Sequence, residues 1–311
     1  MKRILLIGSS NMDLSMNMYK IPSPGEVIVD DGGVAYTPGG KGANAAIAFK
    51  KLGADAAFLT RLGADVHGKK LYEQYKAIGI DTKYIKVDRD FPTGFSAILK
   101  EPSGADRVIY YPGANTHITR ENIVEAFTSM PEALCVDFEV SFDAALIASR
   151  MAAERDIPIF IDASPASKEQ SLELLPKIEI FSLNEAETYE YTGVMPAGAD
   201  SSLRAALSLW KRIECKYLVI KQGPRGAFIY DGKHYVMIPA YRADKIVDTR
   251  GSGDAFGAAM INEYIETKDI VRAVKYGCAA GAIASSREGA LFSSPTKSEL
   301  ESFLNKQDFF R

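Results

Sequence analysis

Short apolar runs alternate with amphipathic stretches along most of the chain. The runs are rich in Ile, Val, Leu and Phe and cover residues 4–7, 56–59, 133–136, 157–161, 178–181 and 217–220. Stretches with helical periodicity lie between most of them, at residues 43–52, 69–78, 142–154, 185–191 and 201–212. Apolar strands that alternate with helices are typical of a sheet covered on both faces. The pattern therefore predicts an α/β fold, with a mainly parallel central sheet and helices on both faces.

Two segments interrupt this alternation. Residues 14–38 contain several Pro and Gly around the apolar run 27–29, and residues 91–112 predict a hairpin with strands at 95–100 and 107–111 and a turn at 101–104. They are either two edge hairpins without a special role or one small sheet that is inserted twice. Because both run directly into candidate site residues, we expect a discontinuous β lid of residues 14–38 and 91–112. The main α/β domain then comprises residues 1–13, 39–90 and 113–311.

Composition narrows the class of protein. The 311 residues are 47% hydrophobic and 25% charged with a net charge of -3, which is average for a soluble globular chain and gives no reason to expect a nucleic-acid partner. Three cysteines without a C-x-x-C pair predict neither a disulfide framework nor a zinc ribbon. The first apolar run ends after residue 7, too early for a secretory leader, and no run is long enough for a membrane span. We therefore expect a cytoplasmic protein without a membrane partner.

The most informative segment is the small-residue loop that precedes a predicted helix over 254–264. Gly251, Ser252 and Gly253 allow the backbone to curl around a phosphate, and the N–H groups at a helix start attract an anion. Asp254 follows at the mouth of this anion hole. Its carboxylate is suited to act as a general base toward an incoming hydroxyl. The alternative is that Asp254 only caps a glycine-rich turn.

Three better-known motifs are absent. The residues around Lys41 do not form a P-loop, because Ala35 and Gly42 stand where Gly and Ser or Thr are needed. A dinucleotide motif starting at Gly251 lacks its third glycine, since Phe256 is at that position. There is no Gly-x-Ser-x-Gly nucleophile elbow. A P-loop NTPase, a Rossmann dehydrogenase and an α/β-hydrolase are therefore disfavoured.

An ordered set of short motifs resembles the ribokinase-like (PfkB-type) carbohydrate kinases. The set consists of Asn11-Met12-Asp13, Gly39-Gly40-Lys41-Gly42-Ala43-Asn44, Asn184-Glu185-Ala186-Glu187, Gly223-Pro224-Arg225-Gly226 and Asp248-Thr249-Arg250-Gly251-Ser252-Gly253-Asp254. Each motif alone is modest, but their order and spacing match over nearly the whole chain. The resemblance implies a kinase that transfers phosphate to a sugar.

The resemblance also implies which residues hold the sugar hydroxyls. These are Asn11, Asp13, Gly40, Lys41, Gly42, Asn44 and Glu139, together with Asp254. The two carboxylates can accept several hydroxyl hydrogens, while the amides and the lysine can donate in return. Asn11 and Asp13 are alternatively turn residues after a strand, and Lys41 an ordinary surface charge.

On the nucleotide side the resemblance implies ATP and Mg²⁺. The matching positions are Asn184, Glu187, Lys221, Gly223, Gly226, Gly253 and Cys278. Asn184 and Glu187 would organise Mg²⁺ and phosphate largely through water, and the two residues are also the pattern of a helix capping box. Cys278 stands at the adenine position, where the family often has His or Asn, so that contact becomes weaker or merely apolar.

Many ribokinases bind a monovalent cation next to the anion hole, and K⁺ is expected here on that basis. The matching positions are Asp248 through its side chain, Arg250, Ala284, Arg287 and Gly289 through main-chain carbonyls, and Ser293. A main-chain ligand does not depend on the side chain, so Arg250 does not by itself exclude the ion. Alternatively, Asp248 only braces the loop.

Together with the resemblance, these residues predict an ATP-dependent kinase that converts ribose to ribose 5-phosphate, with Asp254 as the general base. Two alternatives stay open: a family kinase for fructose, a deoxy-keto sugar acid or a nucleoside, and a sugar-binding regulator without activity. Because the lid carries Val27, Ile28, Val29, Phe95, Ile98, Val108 and Ile109, we expect two lids to pair in a homodimer.

Overall fold

The structure is a computed structural model that describes residues 3–101, 106–243 and 245–309. Its strands are β1 (Arg3–Ile7), β2 (Asn11–Asn17), β3 (Val34–Gly39), β4 (Asp55–Gly63), β5 (Ile85–Asp88), β6 (Gly94–Lys100), β7 (Asp106–Tyr111), β8 (Ala133–Asp137), β9 (Ile159–Asp162), β10 (Ile178–Asn184), β11 (Cys215–Lys221), β12 (Ala227–Tyr230) and β13 (Tyr235–Ile238). Its α-helices are α1 (Lys41–Lys51), α2 (Val66–Ile78), α3 (Arg120–Phe127), α4 (Phe142–Ala153), α5 (Glu185–Thr192), α6 (Ala199–Trp210), α7 (Ser252–Thr267), α8 (Ile270–Ser285) and α9 (Lys297–Phe309). The six strands and six helices predicted from the sequence are thus confirmed, with small shifts at their ends.

The central sheet has nine strands in the order β13-β12-β11-β10-β9-β8-β1-β4-β5. All neighbouring strands are parallel except the pairs β11–β12 and β12–β13, which are antiparallel. From β1 the chain builds outward through β4 and β5, and then returns to the other side of β1 to form β8. In open α/β sheets such a reversal leaves a crevice at the carboxyl ends of the two strands. The topology therefore directs attention to the residues that follow β1 and β8.

Alternate residues of each strand enter two separate cores, one on each face of the sheet. Ile4 and Leu6 of β1 pack with α1, α2, α7 and α8, whereas Leu5 and Ile7 pack with α3, α4 and α6. This is the two-residue period of a strand buried on both faces. The predicted fold class, a mainly parallel sheet covered by helices, is confirmed.

A second, four-stranded sheet has the order β3-β2-β6-β7. The predicted hairpin of residues 91–112 is present as the antiparallel pair β6 and β7, while residues 102–104 of its turn lie outside the described residues. The apolar run 27–29 forms no strand, and Val27 and Val29 are 92% and 94% exposed. The small sheet instead uses β3 and begins at Asn11, so Asn11 and Asp13 are strand residues rather than turn residues. None of the described helices is long and apolar enough to cross a membrane.

Candidate functional site

A buried carboxylate, that of Asp137, lies at the crevice between β1 and β8. Asp137, the last residue of β8, accepts hydrogen bonds from the backbone N–H groups of Ser9 at 3.3 Å and of Glu139 at 3.0 Å. Burial, with the neighbouring Glu139 carboxylate, raises the pKa of Asp137 well above its usual range. Asp137 thereby fixes the two loops that leave the strands, and with them the direction of Glu139.

Glu139 lies at the centre of the predicted sugar-binding residues. Its Oε2 accepts hydrogen bonds from Asn11 Nδ2 at 3.2 Å, from the backbone N–H of Lys41 at 3.3 Å, and from Ser9 Oγ. Burial raises the pKa of Glu139, although the nearby Lys41 charge opposes this. Strand β2, the loop after β8 and the start of α1 are thus joined at one carboxylate.

Asp13 lies on the same face of the small sheet as Asn11. Gly39, on the neighbouring strand β3, leaves room for the Asp13 side chain. A Cβ atom on Gly39 would lie 2.1 Å from Asp13 Oδ2, so only glycine fits beside this carboxylate. Asp13 is 9% exposed. Burial raises its pKa to about 6, while a hydrogen bond from Ser96 and the charge of Arg250 oppose the shift. The side chain changes its protonation state close to neutral pH.

The carboxylate of Asp254 is held from α1. Asn44 Nδ2 donates to its Oδ2 at 2.7 Å, and Lys41 Nζ lies 3.6 Å from its Oδ1. The N-cap of α7 is Gly251, and no side chain makes a cap hydrogen bond there. The interpretation of Asp254 as a plain helix cap is therefore wrong. Its side chain instead faces the predicted sugar-binding residues, where Asn44 Oδ1 is buried without a hydrogen-bond partner among the described residues.

Lys41 is surrounded by acidic side chains. Burial disfavours its charge, but the carboxylates of Asp254, Asp162, Glu187 and Glu139 raise the pKa of Lys41 well above its usual range. The lysine therefore carries its charge throughout the physiological pH range. It is a permanent cation beside Asp254, and the interpretation as an ordinary surface charge is wrong.

The loop before α7 has the geometry expected of an anion hole. Gly251 has φ 74°, and a Cβ atom there would meet the Ala290 carbonyl oxygen at 2.6 Å. At Gly253 a Cβ atom would meet no described atom within 4 Å. The Ser252 N–H donates to the Thr249 carbonyl at 3.3 Å. The backbone N–H groups of Gly253 and Asp254 lie in the first turn of α7, where the helix offers them no carbonyl acceptor. They are the donors that an anion would meet.

Asn184 and Glu187 form a capping box at the start of α5. Asn184 accepts from the Glu187 N–H at 2.9 Å, and Glu187 accepts from the Asn184 N–H at 2.6 Å and from Asn184 Nδ2 at 2.9 Å. Glu187 is nevertheless close enough to the site to raise the pKa of Lys41. A second carboxylate, Asp162, accepts from Lys221 Nζ at 2.9 Å, while its Oδ1 is buried with no partner among the described residues. Both carboxylates lie close enough to Lys41 to raise its pKa, and oxygen-bearing side chains of this kind are suited to a hydrated Mg²⁺.

A cavity of about 620 Å³ opens on the other side of the loop. Its lining is mostly apolar and includes the predicted nucleotide positions Lys221, Gly223, Gly226, Gly253 and Cys278. Cys278 is buried, and burial raises the pKa of its thiol to about 12. The thiol therefore offers an apolar wall rather than a charge. The size and lining are those of a small-molecule pocket.

The predicted monovalent-cation positions are also close together, but Asp248 is already paired. Its two carboxylate oxygens accept hydrogen bonds from the side chain of Arg250, at 3.0 Å and 2.6 Å. Arg250 thus places its charged side chain against Asp248. This geometry disagrees with the expectation that Asp248 offers its charge to K⁺.

Several site residues escaped the sequence analysis. Asn115 donates to Asn11 Oδ1 at 2.7 Å and accepts from the Ser10 N–H at 2.9 Å, and Tyr110 lies 3.3 Å from the same amide. Nothing in the local pattern singles out these two. Asp137 and Asp162, in contrast, end adjacent parallel strands and are register partners. A carboxylate at the carboxyl end of a parallel strand was the signal that could have found them.

Comparison with known proteins agrees with this geometry. The family model described as pfkB family carbohydrate kinase matches residues 1–297. The ribokinase of Haemophilus influenzae is 31% identical over 307 residues, covering 97% of this chain and 98% of that protein. The bifunctional ribokinase/ribose-5-phosphate isomerase A of Fructilactobacillus sanfranciscensis is 30% identical over 309 residues, covering 98% of this chain. This chain spans only 57% of that longer protein.

Among solved structures, Arabidopsis thaliana ribokinase complexed with ribose and ATP superimposes with a TM-score of 0.88 at 25% identity. The alignment covers 97% of this chain and 98% of that one. The whole length of the fold, rather than the motifs alone, is therefore shared. Taken with the family match, the chain belongs to the pfkB family of carbohydrate kinases and is a sugar kinase that transfers phosphate to a hydroxyl group.

Proposed function

We propose that this kinase uses ATP to phosphorylate the primary hydroxyl of D-ribose and forms ribose 5-phosphate. The observation that carries the proposal is the position of Asp254. Asn44 and Lys41 of α1 hold its carboxylate on the sugar side, and the preceding residue Gly253 lines the cavity on the nucleotide side. A base at that junction stands between acceptor and donor, as in-line phosphate transfer requires.

The sugar side is rich in hydrogen-bonding groups. Asp13 and Glu139 accept from hydroxyls, and Asn11 and Lys41 donate to them. The free Oδ1 of Asn44 is a further acceptor within the buried site. A site of this kind discriminates strongly against a ligand that lacks one of the matched hydroxyls, because a buried polar group is then left unpaired. This supports a polyhydroxylated substrate such as ribose.

In the proposed mechanism Asp254 accepts the proton of the hydroxyl as that oxygen attacks the γ-phosphate. The backbone N–H groups of Gly253 and Asp254 and the dipole of α7 stabilise the negative charge that develops on the transferred group. The permanent charge of Lys41 lies beside the same carboxylate and adds to this stabilisation. The lid of residues 14–38 and 91–112 keeps water away from the reacting phosphate.

The nucleotide occupies the cavity between Lys221 and Cys278, with its adenine against the apolar wall. Mg²⁺ would neutralise the phosphate oxygens when bound. Glu187 and Asn184 would hold it through water, and the unpartnered oxygen of Asp162 is available to the same hydration shell. We also propose that the protein is a homodimer joined through the small sheets.

One experiment tests the substrate and the activity together. ADP release is measured with ribose, deoxyribose, fructose, a deoxy-keto sugar acid and adenosine as acceptors. We expect ribose to give the highest kcat/KM. A different best acceptor would overturn the substrate, and sugar binding without ADP release from any acceptor would favour a non-catalytic regulator.

The variant Asp254→Asn tests the proposed base. It keeps the side-chain volume, so we expect normal folding and ribose binding, with turnover lower by about 10²–10⁴-fold. Asp31→Asn on an exposed loop is the control and keeps its turnover. A wild-type kcat in Asp254→Asn would show that Asp254 is not the general base.

A further inference from the structure

Both carboxylate oxygens of Asp248 accept several hydrogen bonds, most of them from Arg250. Arg250 Nε lies 3.0 Å from Oδ1 and 3.1 Å from Oδ2, Arg250 Nη2 lies 2.6 Å from Oδ2, and the Arg250 N–H donates to Oδ1 at 3.0 Å. The Gly289 N–H adds a further bond to Oδ2 at 3.2 Å. The side chains of Asp248 and Arg250 are 10% and 22% exposed. A planar guanidinium in this arrangement is a strong, oriented partner for a carboxylate.

Two of the other positions expected to ligate K⁺, Ala284 and Ser293, are likewise engaged. The Ala284 carbonyl accepts from the Arg287 N–H at 3.1 Å, and the Ser293 carbonyl accepts from Arg287 Nη1 at 3.3 Å. Ser293 Oγ donates to the Ala290 carbonyl at 2.9 Å. The Ala284 and Ser293 carbonyls are therefore bonded to N–H donors of this chain. A metal ion would add a second positive charge next to a guanidinium that already neutralises Asp248.

Arg250 also reaches out of its loop. Its Nη1 donates to Ser15 Oγ at 3.1 Å, and Ser15 belongs to β2 of the small sheet. The guanidinium charge is near enough to Asp13, on the same strand face, to lower its pKa. One side chain thus connects the loop that precedes the anion hole with the strand that carries a sugar-binding residue. A spherical ion bound only by the loop would not make this connection.

We propose that the Arg250 guanidinium is a built-in cation that replaces the monovalent metal ion beside the anion hole, so that this kinase works without K⁺. The inference rests on the proposed kinase function for its catalytic consequence. Arg250 neutralises Asp248, which would otherwise repel the phosphates bound three residues further along the chain. It also fastens this loop to β2. Arg250 is a positioning residue, since its contacts are with Asp248 and Ser15 rather than with the reacting atoms.

Wild-type protein provides the first test. ADP release and nucleotide binding are measured with either potassium or tetramethylammonium as the monovalent cation. We expect the same values within about twofold, and we expect no saturable binding of thallium(I), a K⁺ probe, by thallium NMR in nitrate buffer. Stimulation by K⁺ of about tenfold or more, or stoichiometric thallium binding, would overturn the proposal.

The variant Arg250→Ala provides the second test. Loss of the guanidinium exposes the Asp248 carboxylate. We therefore expect turnover to fall about tenfold in tetramethylammonium and to recover in part with K⁺ or with guanidinium ion. Thallium binding should appear at the same time. Ser15→Ala removes only the bond to β2 and should stay independent of K⁺. Arg272→Ala, which removes an exposed pair with Glu263 on the outer surface, is the matched control.

The outcomes remain distinct if the proposed function is wrong. Thallium binding and the cation dependence of the melting temperature do not require a sugar substrate. A folded Arg250→Ala that neither binds thallium nor responds to K⁺ would overturn the built-in cation. If Arg250→Ala does not fold, Arg250→Lys is tested instead. The lysine ammonium keeps the positive charge but loses the several oriented hydrogen bonds of the guanidinium, so we expect the variant to remain independent of K⁺. Failure to release ADP from any acceptor, with these binding results intact, would count only against the kinase function.

Discussion

At the scale of single residues, the proposed sugar site contains carboxylates whose burial costs the protein stability. Asp13 is buried near Glu139 and Asp254, whose charges oppose its ionisation, and only Ser96 and Arg250 favour it. Its pKa is about 6, against an ordinary value of 3.8. At pH values above 6 this difference lowers the free energy of unfolding by about 3 kcal/mol. The carboxylate that we propose as an acceptor of sugar hydroxyls therefore destabilises the folded protein when it is ionised.

We predict opposite effects of Asp13→Asn on stability and on sugar use. The folded protein holds the Asp13 proton more tightly than the unfolded chain does, so the favourable contribution of this group is complete below about pH 3.8 and is lost as the pH rises through about 6. The variant should therefore melt at a higher temperature than wild type at pH 8, with little difference near pH 4. Its kcat/KM for the sugar should fall, because an acceptor has been replaced by an amide.

The control for Asp13→Asn is Asp31→Asn on the exposed loop, which makes the same substitution away from the buried carboxylates. In the wild type, kcat/KM should also fall as the pH drops through about 6, since protonation turns one acceptor oxygen of Asp13 into an O–H donor. A melting temperature of Asp13→Asn equal to that of wild type at pH 8 would contradict the cost of burial argued here.

At the scale of elements, the anion hole depends on the start of α7. Gly253 lies in the first turn, and a Cβ atom there would meet no described atom within 4 Å. We therefore predict that Gly253→Ala folds as stably as wild type or more so, by up to ~1 kcal/mol, because alanine is the better helix former. Turnover should nevertheless fall by about 10²-fold, because the methyl group takes the space into which the phosphate must come. Thermal melting and ADP release measure the two effects.

Gly198→Ala is the matched control for Gly253→Ala. Gly198 precedes α6, has an extended backbone with φ -176°, and has the same open surroundings, so alanine is accommodated without loss of turnover. Gly251→Ala is the contrasting case: with φ 74° and the Ala290 carbonyl 2.6 Å away, it should lose stability. Full turnover of Gly253→Ala would show that no ligand approaches this backbone closely.

The sequence predicted elements better than it predicted how side chains meet. Apolar runs and helical periodicity placed β1, β8 and α1, because burial on both faces of a sheet leaves a local pattern. The run 27–29 was misjudged because β-branched residues favour strands only where a partner strand and a packing surface exist. The contact of Asn44 with Asp254 joins residues 210 apart in sequence, and no local rule foretells it. The same holds for Arg250, whose position was recognised but whose side-chain direction depends on Asp248 and Ser15.

At the scale of the whole molecule, the small sheet has one face toward the site and one face away from it. Side chains alternate along a strand, so Asp13 and Ser15 share a face, and Leu14 and Met16 belong to the other. The register adds further apolar residues to this outer face, the most exposed being Val34, Tyr36, Ile109 and Tyr111 at 63%, 52%, 66% and 52%. Ile98, which the sequence grouped with them, is buried. Residues 27–29 are not part of the sheet.

We predict that two copies of the chain pair through this outer face, because an exposed apolar sheet face is otherwise left in water. Light scattering at micromolar concentration should give twice the chain mass of 33.9 kDa. Ile109→Asp places a charge in the middle of the face and should yield monomers that keep their secondary structure by circular dichroism. Val124→Asp on α3, where the valine is 48% exposed away from the small sheet, is the control and should remain dimeric. A monomeric wild type, or an Ile109→Asp variant that stays dimeric, would place the interface elsewhere or remove it.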